Sequence, residues 1–247
     1  MIHIEITGIP GSGKSFLIKK LDECLNQNGY RTYTNKTLII LYMKNISKII
    51  KITSKFFPKK ISNYIAYKLF VNHREKIIKK TIENKQLYQS LIKIINSKIL
   101  DIVLKESISK WIFNSIVYKS IADEYLSSDE IYLQDEGLFH RVISIFNDTN
   151  DINKYLKLIN LPSMLFKINI DKEKALSRIV YQGKKKIRLK TIDYLNNSNI
   201  LIDKAINNIK MEKNKMIILE LDEANNLGSN LEIILNQIKK YKIDISL

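Results

Sequence analysis

Hydrophobic and polar positions along the chain switch between two periods. Short runs rich in apolar and β-branched residues occupy residues 2–7 (IHIEIT), 31–34 (RTYT), 131–135 (IYLQD), 164–170 (MLFKINI) and 216–221 (MIILEL). Their length and polar flanks predict β-strands. The first, fourth and fifth runs are each followed by a segment whose apolar residues recur at helical spacing, namely FLIKKLDECLNQNG, KEKALSRIVY and SNLEIILNQIKKY. Strands that alternate with helices predict an α/β fold, a five-stranded, mostly parallel sheet with helices on both faces.

Residues 44–126 break this rhythm, because they are long, rich in Lys and Ile, and contain no convincing strand. In KNISKIIKITSKFF, Lys44, Lys48, Lys51 and Lys55 recur at helical spacing, opposite Ile46, Ile49, Ile50, Thr53, Phe56 and Phe57. The pattern predicts a basic amphipathic helix ended by Pro58. The whole stretch reads as a helical insertion between the second and third strands, carried by one domain spanning residues 1–247. Glycine is scarce, so its placement is informative: Gly8, Gly11 and Gly13 cluster early, Gly29 ends the first helical pattern, and Gly183 and Gly228 sit in polar stretches read as loops.

Composition narrows the classes. The chain of 247 residues holds one cysteine, Cys24, so no intramolecular disulfide is possible. No basic and apolar leader precedes the first strand and no long apolar run occurs, which leads one to expect a protein of the cytoplasm. A net charge of +16 suggests an anionic partner, but residues 44–120 alone hold 17 Lys and Arg against 4 Asp and Glu, a surplus of 13. Arginine, the better reader of bases and phosphates, occurs only five times, so no specific nucleic-acid partner is expected.

The stretch GIPGSGKS, Gly8 to Ser15, fits G-x-x-x-x-G-K-[ST] at Gly8, Gly13, Lys14 and Ser15. An apolar strand enters it and a helix leaves it, so backbone N–H groups can converge on a phosphate at the positive end of the helix. Gly8, Pro10, Gly11, Ser12, Gly13, Lys14, Ser15 and Phe16 are the candidate nucleotide-binding residues. Lys14 would reach the terminal phosphates of ATP, and Ser15 would hold Mg²⁺.

A second stretch, EIYLQDEGLFHR, ends a strand in two acids, Asp135 and Glu136. An acid at the carboxyl end of a parallel strand lies beside the phosphate loop, where it can bind Mg²⁺ with Ser15 or accept a proton. Adjacent residues on extended backbone point to opposite faces, so one of the two is expected in the site. Asp135 takes the metal or substrate role and Glu136 the base role, with the reverse assignment open; an acidic turn capping the next helix would have the same composition. A third stretch, KEKALSRIVYQGKKKIRLK, places Arg178 near a helix end and Arg188 in a lid-like loop at about 181–190. Such cations can cover a migrating phosphoryl group, although lysine runs also serve as solvated surface.

With IEITGIPGSGKS, the acid-ended strand at Asp135, and LPSMLFKINIDKEKALSRI, the sequence resembles the P-loop nucleoside and nucleotide kinases, thymidylate kinase-like proteins in particular. The resemblance implies an ATP- and Mg²⁺-dependent kinase acting on a small acceptor, a nucleoside, a nucleotide or another anionic metabolite, with Arg178 as a lid arginine. It does not extend over residues 44–126. The family's arginine after the third-strand acid is here Glu136, and its second lid arginine is Gln182. The echo NKTL of a guanine-reading N-K-x-D motif lacks the aspartate, so ATP is the expected donor. Two readings stay open for the basic segment: it closes over the acceptor, with Arg74 among its cations, or it docks on an anionic membrane (through residues 44–57), a partner or nucleic acid in a nucleotide-dependent ATPase or GTPase binding module. A core-packing helix with its lysines in water would show the same pattern.

Overall fold

The computed structural model describes residues 1–146, 148–149, 151–181, 191–212 and 216–246. Its centre is a sheet of five strands, β1 (Ile2–Gly8), β2 (Thr32–Thr34), β3 (Ile131–Asp135), β4 (Met164–Asn169) and β5 (Ile217–Asp222). They are ordered β2-β3-β1-β4-β5 and every pairing is parallel. The expected α/β architecture is therefore the one observed. β1 is central, and its register sets Ile6 beside Asp135 of β3 and Thr7 beside Lys167 of β4. The carboxyl ends of three strands thus converge on one edge.

Alternation along the strands gives the two faces of the sheet different chemistry. Ile2, Ile4 and Ile6 of β1 join Ile131, Leu133 and Phe166 in an apolar layer. Helices α1 (Lys14–Gln27) and α11 (Leu227–Ser246) cover it. The opposite face carries His3, Glu5, Thr7, Gln134 and Lys167, all buried, and each is paired as burial of a polar group requires. His3 Nε2 shares a hydrogen bond with Gln134 Oε1 at 2.9 Å, Thr7 Oγ1 with His140 Nδ1 at 3.0 Å, and Lys167 donates to Asp203 at 2.5 Å. Asp203 lies on α10 (Ile192–Met211), which packs over this face.

The helical segment between β2 and β3 begins earlier than the lysine pattern suggests. Helix α2 (Asn35–Ile46) starts directly after β2, because Thr34 and Thr37 cap each other's backbone N–H groups. It is followed by α3 (Lys48–Phe56), α4 (Lys59–Lys80), α5 (Ile82–Ser97) and α6 (Ile102–Tyr125). Breaks fall where side chains cap the next helix: Ser47 accepts from Ile50 N, Thr81 from Asn84 N and Asp101 from Leu104 N. Pro58 separates α3 from α4, as expected. Leu38, Met43, Phe70, Leu91 and Ile112 fill an apolar cluster that continues to Tyr132 and Leu165 on the sheet. Gly228, expected in a loop, lies instead in the first turn of α11, where Asn226 Oδ1 accepts from Ser229 N.

Phe166 is fully buried at the centre of the apolar layer. Phe166→Ala is expected to cost about 3–5 kcal/mol in a urea unfolding curve, whereas Ile49→Ala on the exposed surface of α3 should stay within about 0.5 kcal/mol of the parent.

Candidate active site

The loop from Gly8 to Ser15 joins β1 to α1 at the edge where the strand ends converge. Gly11 has φ 84°, and a Cβ there would stand 2.4 Å from the Ala175 carbonyl oxygen on helix α9 (Lys172–Tyr181). The loop therefore runs against α9 at a distance that only glycine permits. Gly13 caps α1 in the left-handed region with no side-chain hydrogen bond, so no side chain of the cap competes for the first N–H groups of the helix. Lys14 is buried beneath the loop and donates to the carbonyls of Gly8 at 3.0 Å and Ile9 at 3.2 Å.

Ser15 Oγ donates to Asp135 Oδ2 at 2.5 Å. The two residues assigned to a metal from the sequence, 120 positions apart, are thus in direct contact. Burial raises the Asp135 pKa, Glu136 adds to the rise, and the Ser15 bond opposes it. The other carboxylate oxygen, Asp135 Oδ1, is buried without a hydrogen-bond partner among the described residues. A hydroxyl beside a carboxylate with an unused oxygen is a donor set suited to a hard divalent cation such as Mg²⁺.

Glu136 corrects one expectation. On extended backbone it would point away from Asp135, but its φ of 54° is left-handed, and the turn brings its carboxylate back to the loop. Oε1 lies 3.7 Å from Lys14 Nζ and 3.6 Å from His140 Nε2. Both acids therefore enter the site. Backbone strain of this kind is found where the surrounding structure enforces it, and here Arg141 does so: its Nη2 donates to the Glu136 carbonyl at 2.5 Å and its Nη1 lies 3.6 Å from Oε2. A 3₁₀ turn at Phe139–Arg141 delivers this guanidinium, which also lies over the Trp111 ring of α6, 5.1 Å from its centroid. The position after the acid lacks an arginine, yet one arrives from six residues beyond Asp135.

Glu5 underlies this turn. It is buried in β1 and accepts from the backbone N–H groups of His140 at 2.8 Å and Phe139 at 3.3 Å. Burial pushes its carboxyl up to about 7 against those two bonds. A Cβ at Gly137 would stand 2.5 Å from Glu5 Oε2 and 2.6 Å from Gln134 Oε1, which explains the glycine. Burial, with the Lys14 charge adding to it, pushes the His140 pKa well below its ordinary value and keeps the imidazole neutral.

On the other side of the loop, Arg178 of α9 pairs with Glu223 after β5, and its Nη1 lies 3.8 Å from where a Gly13 Cβ would be. Lys174 donates to the same Glu223 carboxylate at 2.6 Å. Pro10, Gly11, Ser12, Phe16, Glu136 and Arg178 line a single cleft of about 1200 Å³. It extends one way to Asn225 and Leu227 and the other to Leu104, Trp111 and Ser144. The predicted loop, acids and first lid arginine are therefore brought together. Arg188 and the lid-like stretch beyond residue 181 lie outside the described residues. Glu5, His140, Arg141 and Glu223 were not singled out as site residues by sequence; the signal for Glu5 is a carboxylate between isoleucines inside the first strand.

No protein-family model matches the chain, and no curated protein matches it. Among solved structures, the chain is similar to deoxyadenosine kinase from M. mycoides with the products dCMP and a flexible dCDP bound, at 17% identity and a TM-score of 0.49, over 97% of this chain and 100% of that one. The same enzyme with bound dATP gives 15% identity and a TM-score of 0.48, over 96% of this chain and 100% of the other. With bound dCTP the values are 15% and 0.45, over 97% and 100%.

Glu5 makes a pH prediction. Its folded pKa of about 7 lies above the ordinary 4.5, so the folded state binds the extra proton and stability falls as pH rises from about 4.5 to 7. At 1.36 kcal/mol per unit, the loss is about 3 kcal/mol at most. Glu5→Gln should abolish this component, so the difference in unfolding free energy between parent and variant should change across that window and level off above it. A difference independent of pH would contradict the assignment.

Proposed function

We propose that this chain is an ATP- and Mg²⁺-dependent phosphotransferase that acts on a small acceptor, a nucleoside, a nucleotide or another anionic metabolite. The observation that carries the proposal is the 2.5 Å bond between Ser15 and Asp135, which joins the end of the phosphate loop to the end of the third strand at the wall of the cleft. A turn kept merely for geometry would need the glycines but neither Lys14 nor this hydroxyl–carboxylate pair.

Each residue has a part in this reading. The N–H groups at the start of α1 bind phosphate oxygens, and Lys14 exchanges the Gly8 and Ile9 carbonyls for the phosphates of the donor. Ser15 and Asp135 would hold the Mg²⁺, which would supply charge neutralisation to the phosphate oxygens when bound. Glu136 stands at the loop within reach of an acceptor hydroxyl and takes its proton, while Arg141 and the neutral His140 fix its position. Arg178 bears on the transferred group from the opposite wall, and Arg188 is assigned with it to the lid. Catalysis is then positioning and charge compensation. The cleft has room for a triphosphate and a second small molecule, with Trp111 in its lining.

Titration calorimetry with magnesium and ATP should show binding, and labelled ATP with a panel of nucleosides, nucleotides and sugar phosphates should reveal transfer to one class. Lys14→Ala should lower transfer by at least about a hundredfold, the scale seen when one charge-stabilising donor is removed, with an unchanged circular dichroism spectrum. Ser15→Ala and Asp135→Asn should raise the Mg²⁺ concentration needed for half-maximal rate. Vigorous ATP hydrolysis without any acceptor would favour a nucleotide-dependent binding module, and a fully active Lys14→Ala protein would refute the mechanism.

A further inference from the structure

The segment between β2 and β3 carries a surface, on α3, none of whose residues lines the cleft described above. Between residues 24 and 74 the chain contains no Asp or Glu but ten Lys and Arg. Helix α3 lies in the middle of this stretch. Ile50 is its one buried residue, with Thr53 half-buried. Helical spacing of 100° per residue then decides what faces outward. Ile49, Ile52 and Phe56 form one stripe, exposed by 58%, 57% and 77%. Lys48, Lys51 and Lys55 form the adjoining stripe, also exposed. Ile46 and Phe57, which flank α3 in sequence, are exposed as well, as are Lys44, Lys59 and Lys60. The core-packing reading of this helix therefore accounts for Ile50 and Thr53 and not for Ile49, Ile52 or Phe56.

An apolar stripe of this kind marks an interaction surface, and its lysine border selects among occupants. A second copy of the chain, joined by a two-fold axis, would set this patch against itself, and its lysines against lysines with no acid to meet them. A nucleic acid would satisfy the lysines but leave Ile49 and Ile52 without an apolar partner. An anionic bilayer satisfies both stripes: acyl chains take Ile49, Ile52 and Phe56, and headgroup phosphates take the lysines. No helix among the described residues is long and apolar enough to cross a membrane, so the contact would be with the surface.

We propose that α3 is a membrane-surface anchor that lies in the interface of an anionic phospholipid bilayer, with the Ile49–Ile52–Phe56 stripe toward the hydrocarbon and Lys48, Lys51 and Lys55 at the headgroups. The proposal is independent of the phosphotransferase reading.

The test is co-sedimentation of the full chain with vesicles of phosphatidylcholine alone or mixed with phosphatidylglycerol. Binding is expected only to the mixed vesicles and should weaken with salt. The triple variant Lys48→Glu, Lys51→Glu, Lys55→Glu should lower the partition coefficient at least about tenfold. Phe56→Ser, which leaves the charge unchanged, should lower it severalfold, and in Phe56→Trp the emission should shift to the blue on adding mixed vesicles. All these positions are exposed, and circular dichroism checks the fold. The proposal is overturned by equal binding to both vesicles, by a triple variant that binds like the parent, by retention on single-stranded oligonucleotide with no vesicle binding, or by a lipid-free dimer in light scattering that Phe56→Ser dissociates. ATP binding measured in parallel bears on the phosphotransferase reading alone.

Discussion

Parallel pairing of β1 with both β3 and β4 is the constraint on which the candidate site depends. It ends three strands at one level and places the loop after Gly8 next to Asp135 and opposite α9. The register has no tolerance: a shift of one residue would turn Asp135 to the far face of the sheet and bury Gln134 among isoleucines. Contact between Ser15 and Asp135 is thus a product of the whole sheet.

The polar face of the sheet answers a second requirement. A site built from Lys14, Asp135, Glu136 and Arg141 concentrates charge in a poorly solvated place, where every unpaired group is costly. The structure meets this with a continuous set of partners beneath the loop. Glu5 holds two backbone N–H groups, Thr7 holds His140, and Gln134 holds His3. The turn after β3 is therefore gripped from below by β1 and from above by Arg141. Its left-handed residue follows from being held at both ends.

Much of this was legible in the sequence, and the exceptions have physical reasons. Five strands in a mostly parallel sheet follow from period and alternation, although their order does not, and the glycines with Lys14 and Ser15 mark the loop because few backbones need that combination. Asp135 was legible as the last residue of an apolar strand. Glu136 was misplaced because alternation presumes extended backbone, and nothing local announces that a distant Glu5 and a later Arg141 will bend it. Arg141 itself is hidden by a 3₁₀ turn, whose tighter period moves a side chain to a neighbour that α-helical counting does not predict. The start of α2 was missed for the opposite reason: its capping by Thr34 and Thr37 is local, but β2 is so short that strand and cap overlap in one TYTNKT stretch.

The position of β1 in the sheet has a consequence for how the chain comes to exist. Both of its hydrogen-bonding neighbours, starting at Ile131 and Met164, lie more than 120 residues downstream. On a ribosome adding about 5–20 residues per second, the first strand waits roughly ten seconds for a companion. The intervening helices, whose contacts are close in sequence, can assemble in that interval. The nascent chain must therefore keep the isoleucine face of β1 from sticking elsewhere, and α1, the next element in sequence, is the cover at hand.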